Sequence, residues 1–303
     1  MPVSRRALAL PVAAVALLAA GTISCTSSSS DDEDSAPGAR DGQAEESAEP
    51  APRWNTSPAS LAAIGDSITR AFDACALLSD CPEASWATGT EPEVASLATQ
   101  LMGDGADVSD RAWNLAESGA TASDLPDQAR RIVGYEPELV TVMIGGNDAC
   151  AADLDSMTSV DDFRAHVTET MDIIRGRLPD TQVYVSSVPD LMRLWSEGSE
   201  SFVARTVWQV ANICPSMLDD AGDDSAEAVE RREAVRERVR EYNATLGEVC
   251  AEDALCRYDG GAVFDYAFTT HHLSDFDWFH PSREGQATLA ELAYEQITAG
   301  PTG

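Results

Sequence analysis

The chain has 303 residues, of which 44% are hydrophobic, so it is long enough for one large domain with a buried core or for two small ones. It carries 52 acidic residues against 20 basic ones, every basic residue is arginine, and the formal net charge is −32. This charge argues against nucleic acid and anionic membrane surfaces as electrostatic partners, and a solvated acidic surface accounts for it.

The first residues have the pattern of a secretory signal peptide. Arg5 and Arg6 precede an apolar run over residues 7–20, which is too short to cross a bilayer comfortably and has the length of a signal hydrophobic region. We therefore predict a signal peptide over residues 1–24. The arginine pair also resembles a twin-arginine signal, so the export route stays open.

The signal-like segment ends in Gly21-Thr22-Ile23-Ser24-Cys25. This sequence resembles a bacterial lipobox, in which the Cys is acylated and becomes the mature N-terminus, although Thr22 stands where an aliphatic residue is usual. The resemblance implies lipidation of Cys25. Residues 25–56 are rich in Ser, Asp, Glu, Pro and Ala without apolar periodicity, which predicts a disordered tether. Between this tether and a tail at 299–303, we expect one folded domain over residues 57–298.

Seven cysteines leave one unpaired in an oxidising compartment, and assigning Cys25 to a lipid leaves six. Nearest-neighbour pairing is our preference among fifteen connectivities, because it closes two short loops, and it gives Cys75–Cys81, Cys150–Cys214 and Cys250–Cys256. Zinc binding is the rival explanation, but no two cysteines have the C-x2-C spacing. We therefore expect no bound metal.

Strand-like and helix-like patterns alternate through the predicted domain. The strand-like runs are short and apolar, and they lie at Leu61–Ile64, Trp113–Leu115, Leu139–Ile144, Val183–Val188 and Ala262–Phe264. Apolar residues at helical spacing occupy residues 163–178, 235–246 and 281–297. This alternation predicts a three-layer α/β/α fold with a parallel sheet, in which functional groups collect at the carboxyl ends of the strands.

The candidate nucleophile is Ser67, in Gly65-Asp66-Ser67 after the first predicted strand. A strand that turns sharply after a glycine presents the serine hydroxyl at the sheet edge, at the start of the next helix. Backbone N–H groups and the helix dipole there favour a developing anion. Capping of that helix by Asp66 or Ser67 is the alternative explanation of the same tripeptide.

The segment Asp277-Trp278-Phe279-His280 offers a general base. A serine hydroxyl needs a base within hydrogen-bonding distance, and that base must itself be oriented by an acid. An Asp three residues before a His can fold back to accept from its Nδ1–H, which leaves Nε2 free for Ser67. A structural histidine is the alternative.

Two further segments offer donors to an oxyanion. The segment Ile144-Gly145-Gly146-Asn147-Asp148 ends the clearest strand, and an Asn side chain can donate to an oxyanion. The segment Glu117-Ser118-Gly119-Ala120 follows the second strand, where a backbone N–H can donate to the same atom. A plain turn after a strand explains either segment taken alone.

Taken together and in order, these four segments resemble the sequence blocks of the SGNH/GDSL hydrolase family, over residues 62–297. With six cysteines and export, the chain is similar in particular to the secreted actinobacterial lipase/esterase branch. The resemblance implies a flavodoxin-like fold with five parallel strands and neither cofactor nor metal. It also implies a catalytic set of Ser67, His280 and Asp277, and an oxyanion hole formed by the N–H groups of Ser67 and Gly119 and the side chain of Asn147.

The expected protein is therefore an exported serine esterase or lipase that hydrolyses carboxylic esters through an acyl-enzyme on Ser67. Its expected partner is a small-molecule or lipid ester, and it contacts the membrane only through Cys25. We expect a monomer tethered to the outer face of the cell membrane, with full secretion as the alternative. Alternative functions are a carbohydrate acetylesterase or an envelope acyltransferase on the same triad, and a catalytically retired surface binding protein.

The stretch Leu191–Leu218 is longer and more aromatic than a connection needs. It is equally consistent with an acyl-chain wall or lid and with core packing of an inserted helix. Its composition favours acyl esters over carbohydrate acetates. His271 and His272 precede the predicted catalytic loop, where they either rim the cleft or are solvated.

Overall fold

The computed structural model describes residues 53–103 and 106–299. The predicted signal peptide, Cys25, most of the predicted tether and all but the first residue of the predicted tail lie outside these residues. Among the helices of the described residues, none is long and apolar enough to cross a membrane.

Five strands form one sheet, and they are β1 (Leu61–Gly65), β2 (Ala112–Asn114), β3 (Leu139–Met143), β4 (Gln182–Val185) and β5 (Cys256–Tyr258). The strand order is β2-β1-β3-β4-β5, and every neighbouring pair is parallel. The direction of winding reverses between β1 and β3. An open α/β sheet forms its ligand-binding crevice at the carboxyl ends of such a pair of strands.

The described residues contain eleven α-helices: α1 (Leu97–Met102), α2 (Ala106–Ser109), α3 (Leu125–Ile132), α4 (Gly146–Ala149), α5 (Val160–Arg177), α6 (Leu191–Gly198), α7 (Phe202–Val210), α8 (Pro215–Leu218), α9 (Ala226–Ala251), α10 (Ala262–Asp265) and α11 (Arg283–Thr298). The three longest, α5, α9 and α11, match the predicted helical segments, except that residue 178 lies just after α5 and residues 281–282 lie just before α11. Each begins at a serine whose hydroxyl accepts a main-chain N–H of the first turn, namely Ser159, Ser225 and Ser282.

Alternate residues of the strands face two separate apolar layers. Ala62, Ile64 and Val140 pack in the layer that contains α3, α5 and α9, whereas Leu61 and Leu139 pack in the layer that contains α1 and α11. Because both faces of the central strands are covered, their sequences are almost continuously apolar. The structure confirms the predicted three-layer α/β/α fold around five parallel strands.

The prediction of a strand at Ala262–Phe264 is wrong, because this segment belongs to helix α10 and the fifth strand is β5 at Cys256–Tyr258. Gly260 and Gly261 follow β5 with φ values of 69° and 90°, and they turn the chain out of the sheet. The Asp259 carboxylate then accepts main-chain N–H groups at the start of α10. The Gly-Gly pair is the sequence signal for this break.

The prediction of a helix directly after Ser67 is also wrong. The chain makes a run of turns there, in which the N–H of Phe72 donates to the carbonyl of Ser67 at 3.0 Å. Ala71 and Asp73 have φ values of 51° and 57°, which a continuous right-handed helix does not allow. The dipole of a helix beginning at Ser67 is therefore not available to stabilise an anion there.

The described residues form three disulfides, and they join the nearest-neighbour pairs Cys75–Cys81, Cys150–Cys214 and Cys250–Cys256. The first closes the loop that follows the turns after Ser67. The second joins the end of α4 to the start of α8. Two of the three disulfides thus fix segments that follow candidate catalytic residues.

Candidate active site

Ser67, His280 and Asp277 form a chain of hydrogen bonds at the carboxyl edge of the sheet. Nε2 of His280 lies 2.8 Å from Oγ of Ser67, and Nδ1 of His280 lies 2.5 Å from Oδ2 of Asp277. Ser67 lies just after β1, and the other two residues lie in the loop before α11. This arrangement places a hydroxyl, an imidazole and a carboxylate in series, in the order that activation of a serine requires.

The Asp277 carboxylate also holds its own loop. Its Oδ1 accepts the main-chain N–H groups of Phe279 and His280 at 2.9 and 3.0 Å, around a left-handed Trp278 with φ of 58°. Burial alone would raise the pKa of Asp277, but the hydrogen bonds and the charge of His280 keep that pKa below its ordinary value. Asp277 is therefore ionised at neutral pH, where it accepts from Nδ1–H and leaves Nε2 to accept from Ser67.

Ser274 fastens this loop to the segment after the nucleophile. Its buried hydroxyl donates to the carbonyl of Asp73 at 2.6 Å, and its N–H donates to the carbonyl of His280 at 2.8 Å. Its own carbonyl accepts from the N–H of Trp278 at 2.9 Å. The ring of Phe72 packs on the imidazole of His280, with 5.0 Å between ring centroids. These contacts hold His280 against the segment that carries Ser67.

Two buried glutamines brace the main chain on either side of Ser67. Gln128 of α3 accepts from the N–H of Gly65 at 2.7 Å and donates to its carbonyl at 2.9 Å. Gln286 of α11 donates to the carbonyl of Ile68 at 2.8 Å. Neither residue belongs to a sequence motif, so neither was predicted from the sequence. The available signal was a polar residue on the otherwise apolar face of a helix.

Asn147 lines the same cleft as Ser67. One N–H of its amide donates to the carbonyl of Ala120 at 2.8 Å, which leaves the second N–H for a ligand. Gly119 is not part of the cleft lining, but it adjoins Ala120 in the loop that Asn147 holds. A Cβ at Gly119 would meet no atom within 4 Å, so glycine is required there for its φ of 86° and not for space.

Two further carboxyl groups are buried beside the site. Asp66 is 2% exposed and accepts the N–H of Ile68 at 2.9 Å, and burial raises its pKa to about 7. Asp148 is also 2% exposed, and its two oxygens accept the N–H of Ala122 at 3.2 and 3.0 Å. Burial raises its pKa as well. Asp148 ties α4 to the loop that follows Gly119, a role that its motif did not reveal.

The cleft beside Ser67 encloses about 770 Å³ with its open mouth included, and its walls are largely apolar. Aliphatic and aromatic side chains from the loop after β4, from α6 and from the loop before α11 line it, among them Val188, Leu191, Leu194, Phe268, Leu273 and Phe279. His272 also lines the cleft, and its Nδ1 accepts the N–H of Thr269 at 3.0 Å. His271 is exposed.

The stretch Leu191–Leu218 folds into the three helices α6, α7 and α8. Trp208 is buried in the core, whereas Leu194 lines the cleft and Phe202 is 76% exposed. The stretch is thus both core packing and a wall of the cleft, so the two alternatives from the sequence apply to different parts of it.

Among residues 53–103 and 106–299, one cluster has ligand atoms close enough together for a metal ion, and it consists of Cys75, Cys81 and Glu83. Both sulfurs of this cluster are joined in a disulfide. Because zinc binds cysteine as a free thiolate, this cluster is not a metal site in the oxidised protein.

The sequence matches the family described as GDSL-like Lipase/Acylhydrolase over residues 61–293. The chain therefore belongs to this family of ester-hydrolysing enzymes, as the four sequence blocks predict. Among curated relatives, human phospholipase B1, membrane-associated, is 24% identical over 60% of this chain, and the mouse protein is 25% identical over 62%. The chain spans only 15% of the length of each of these relatives.

Solved structures with a similar fold include the extracellular lipase of Streptomyces rimosus. It is 18% identical to this chain, with a TM-score of 0.48 over 79% of this chain and 99% of its own. The acetyl-xylooligosaccharide esterase Axe2 of a Geobacillus species is also 18% identical, with a TM-score of 0.48 over 80% of this chain and 94% of its own.

Proposed function

We propose that this protein is a serine hydrolase that cleaves carboxylic esters through an acyl-enzyme on Ser67. The proposal rests on the chain of hydrogen bonds from Asp277 through His280 to Ser67. Nδ1 of His280 lies 2.5 Å from Oδ2 of Asp277, and Nε2 lies 2.8 Å from Oγ of Ser67. A buried, ionised carboxylate, a base and a hydroxyl in this order are what activation of a serine requires.

In the first half of the reaction, Oγ of Ser67 attacks the ester carbonyl carbon while Nε2 of His280 takes the hydroxyl proton. The carbonyl oxygen becomes an oxyanion, for which we assign the N–H groups of Ser67 and Gly119 and the free amide N–H of Asn147 as donors. The tetrahedral intermediate then collapses. His280 returns its proton to the departing alcohol, and the acyl group stays on Ser67.

In the second half, His280 takes a proton from a water molecule, and the resulting hydroxide attacks the acyl-enzyme carbonyl. The same three donors stabilise the second oxyanion. Collapse of this intermediate returns the proton from His280 to Oγ of Ser67 and releases the carboxylic acid. Asp277 remains ionised throughout and stabilises the imidazolium that forms twice per turnover.

The substrate that fits this cleft is an ester with an aliphatic acyl chain. Apolar side chains such as Val188, Leu194 and Phe268 line the walls, and they gain free energy when they exclude water from a hydrocarbon chain. An acetyl group would leave most of that apolar surface exposed. The cleft therefore favours acyl esters over carbohydrate acetates, in agreement with curated relatives that are named phospholipase B1.

We further propose that the protein is exported and held at the outer face of the cell membrane through Cys25. Three disulfides within the described residues support an oxidising compartment. The intact mass of the membrane-extracted protein tests the anchor, and we expect a diacylglyceryl group on Cys25. A soluble form cut at another residue contradicts it.

Hydrolysis of p-nitrophenyl butyrate by purified variants tests the proposed function. We expect Ser67→Ala and His280→Ala each to lower kcat by about 10⁴–10⁶-fold. Ser159→Ala is the control, because it removes a serine hydroxyl that caps α5 away from the cleft, and we expect it to keep the kcat of the wild type. Equal rates for Ser67→Ala and the wild type would remove the basis of the proposal.

A further inference from the structure

Two cavities meet at helix α6. The first is the apolar cleft beside Ser67, and the second is a polar cavity of about 460 Å³, open mouth included. Arg236, Asp265 and Tyr266 are among the residues that line the second cavity. Asp190 and Arg193 line both cavities, so these two side chains stand between them.

Arg193 is held in place at this position from two sides. Its Nε donates to the carbonyl of Phe268 at 2.8 Å, and its Nη2 lies 3.2 Å from the Glu197 carboxylate one helical turn later. The guanidinium therefore bridges α6 and the loop before α11. Its neighbour Asp190 is paired with Arg236 at 2.7 Å. Because each group has a fixed partner, together they form an ordered partition between the two cavities.

This partition has a direct consequence for an acyl chain that enters from Ser67. Along the apolar walls, each methylene that leaves water strengthens binding by about fourfold. At Arg193 the wall changes to a paired guanidinium, and contact with a methyl terminus would strip that ion pair of water without replacing its hydrogen bonds. The gain per methylene ends where the chain reaches this side chain.

We propose that Arg193 is a specificity-determining residue that ends the acyl cleft and limits the length of the acyl chain that Ser67 accepts. The inference rests on the proposed function and names the boundary of its substrate class. The acyl chain runs past Leu191, Leu194 and Phe268 until it meets Arg193. Longer chains have to turn back towards solvent and lose the contacts of their distal carbons.

The test is the dependence of kcat/KM on acyl length for p-nitrophenyl esters from acetate to palmitate. Arg193→Ala joins the two cavities, so we expect its optimum to move to a longer acyl chain and its kcat/KM for the longer esters to rise by about tenfold. Arg193→Lys keeps a long cation that can reach the same partners, so we expect the wild-type optimum. Asp265→Ala is the matched control, because Asp265 lines only the polar cavity and, unlike Arg236, is not paired with Asp190.

An optimum that stays unchanged in Arg193→Ala overturns the inference, and so does an equal shift in Asp265→Ala. Arg193→Gln guards against misfolding of the alanine variant, since its shorter neutral side chain also opens the partition, and we expect it to shift the optimum in the same direction. Thermal unfolding of each variant confirms that folded proteins are compared. If the wild type hydrolyses none of the esters, the proposed function fails rather than this inference.

Discussion

The Asp277 side chain serves two purposes with its two oxygens. Oδ2 accepts from the imidazole of His280, and Oδ1 accepts the main-chain N–H groups of Phe279 and His280. The same carboxylate that orients the base therefore also fixes the loop on which the base is carried. A substitution that preserves one function and removes the other separates the two.

Asp277→Asn is that substitution. The Asn carbonyl oxygen can still accept the two main-chain N–H groups, so the loop should keep its shape and the melting temperature should stay near that of the wild type. Its NH2 group would face Nδ1 of His280 and select the tautomer with a proton on Nε2, which cannot accept from Ser67. We expect kcat to fall by about 10³–10⁴-fold with little change in KM. Steady-state kinetics measure this, and a loss below tenfold would contradict the role.

The contribution of Asp66 to the free energy of unfolding falls as the pH rises, whereas that of most carboxyl groups rises. Its pKa is about 7 in the folded chain against an ordinary value of 3.8, so the folded chain binds a proton between these values that the unfolded chain has lost. Its contribution to the free energy of unfolding therefore falls as the pH rises from about 4 to about 7 and is level above that.

We expect the free energy of unfolding of Asp66→Asn to increase relative to that of the wild type as the pH rises from about 4 to about 7. The Asn carbonyl oxygen can still accept the N–H of Ile68, so the variant loses the buried charge and keeps the turn. Urea unfolding of both proteins at about pH 4 and about pH 7.5 measures the difference in the free energy of unfolding. A difference that is the same at both pH values speaks against the raised pKa.

At the scale of elements, the active site depends on how the loop before α11 is fixed to the turns after β1. Ser274 makes that connection through its hydroxyl and the carbonyl of Asp73, across 201 residues of sequence. The carbonyl belongs to a left-handed residue, whose strained backbone is maintained by the surrounding contacts. The hydrogen bond from Ser274 therefore holds a strained residue, Asp73, in place, and it lies close to His280.

We expect Ser274→Ala to lower kcat by up to about 10²-fold, because a small displacement of His280 from Ser67 misaligns the proton transfer. KM should change little, since Ser274 does not line the cleft. Thr181→Val is the control, because Thr181 also donates a buried hydroxyl to a distant carbonyl, that of Pro137 at 2.6 Å, at the opposite edge of the sheet. If both variants lose the same stability and both keep kcat, Ser274 serves stability alone.

The elements that could be predicted from the sequence are those marked by a local pattern, either an apolar run or a motif. β1, β3 and β4 are almost continuously apolar, and the four motif segments place Ser67, Asn147 and His280 at strand ends or before the last helix. The strand β5 escaped prediction because it is short and only half-buried, with Arg257 between Cys256 and Tyr258. A helix was expected after Ser67 because nothing in the local sequence revealed the left-handed residues there.

The residues that hold the site together could not be predicted in this way. Gln128 reaches Gly65 across 63 positions, and Ser274 reaches Asp73 across 201. Such contacts depend on which elements the fold brings side by side, and no periodicity or motif encodes them. The role of Arg193 could not be predicted either, because its position between two cavities exists only once α6 has packed against the loop before α11.

At the scale of the whole molecule, the formal charge of −32 acts against the compact state through self-repulsion. Salt shortens the Debye length from tens of ångströms at about 0.01 M to a few at about 1 M and so screens this repulsion. We expect the melting temperature to rise by a few degrees between about 0.02 and about 0.5 M NaCl, with KCl giving the same rise. A fall over this range would mean that the surface ion pairs outweigh the repulsion.

Covalent labelling with a fluorophosphonate tests whether Ser67 is a nucleophile that His280 activates. Intact mass and peptide mapping of the wild type should show one adduct, on Ser67. Ser67→Ala should show none, and His280→Ala should react slower by about 10³-fold or more. An adduct on a different residue of an active preparation, or equal labelling rates for His280→Ala and the wild type, would contradict the account.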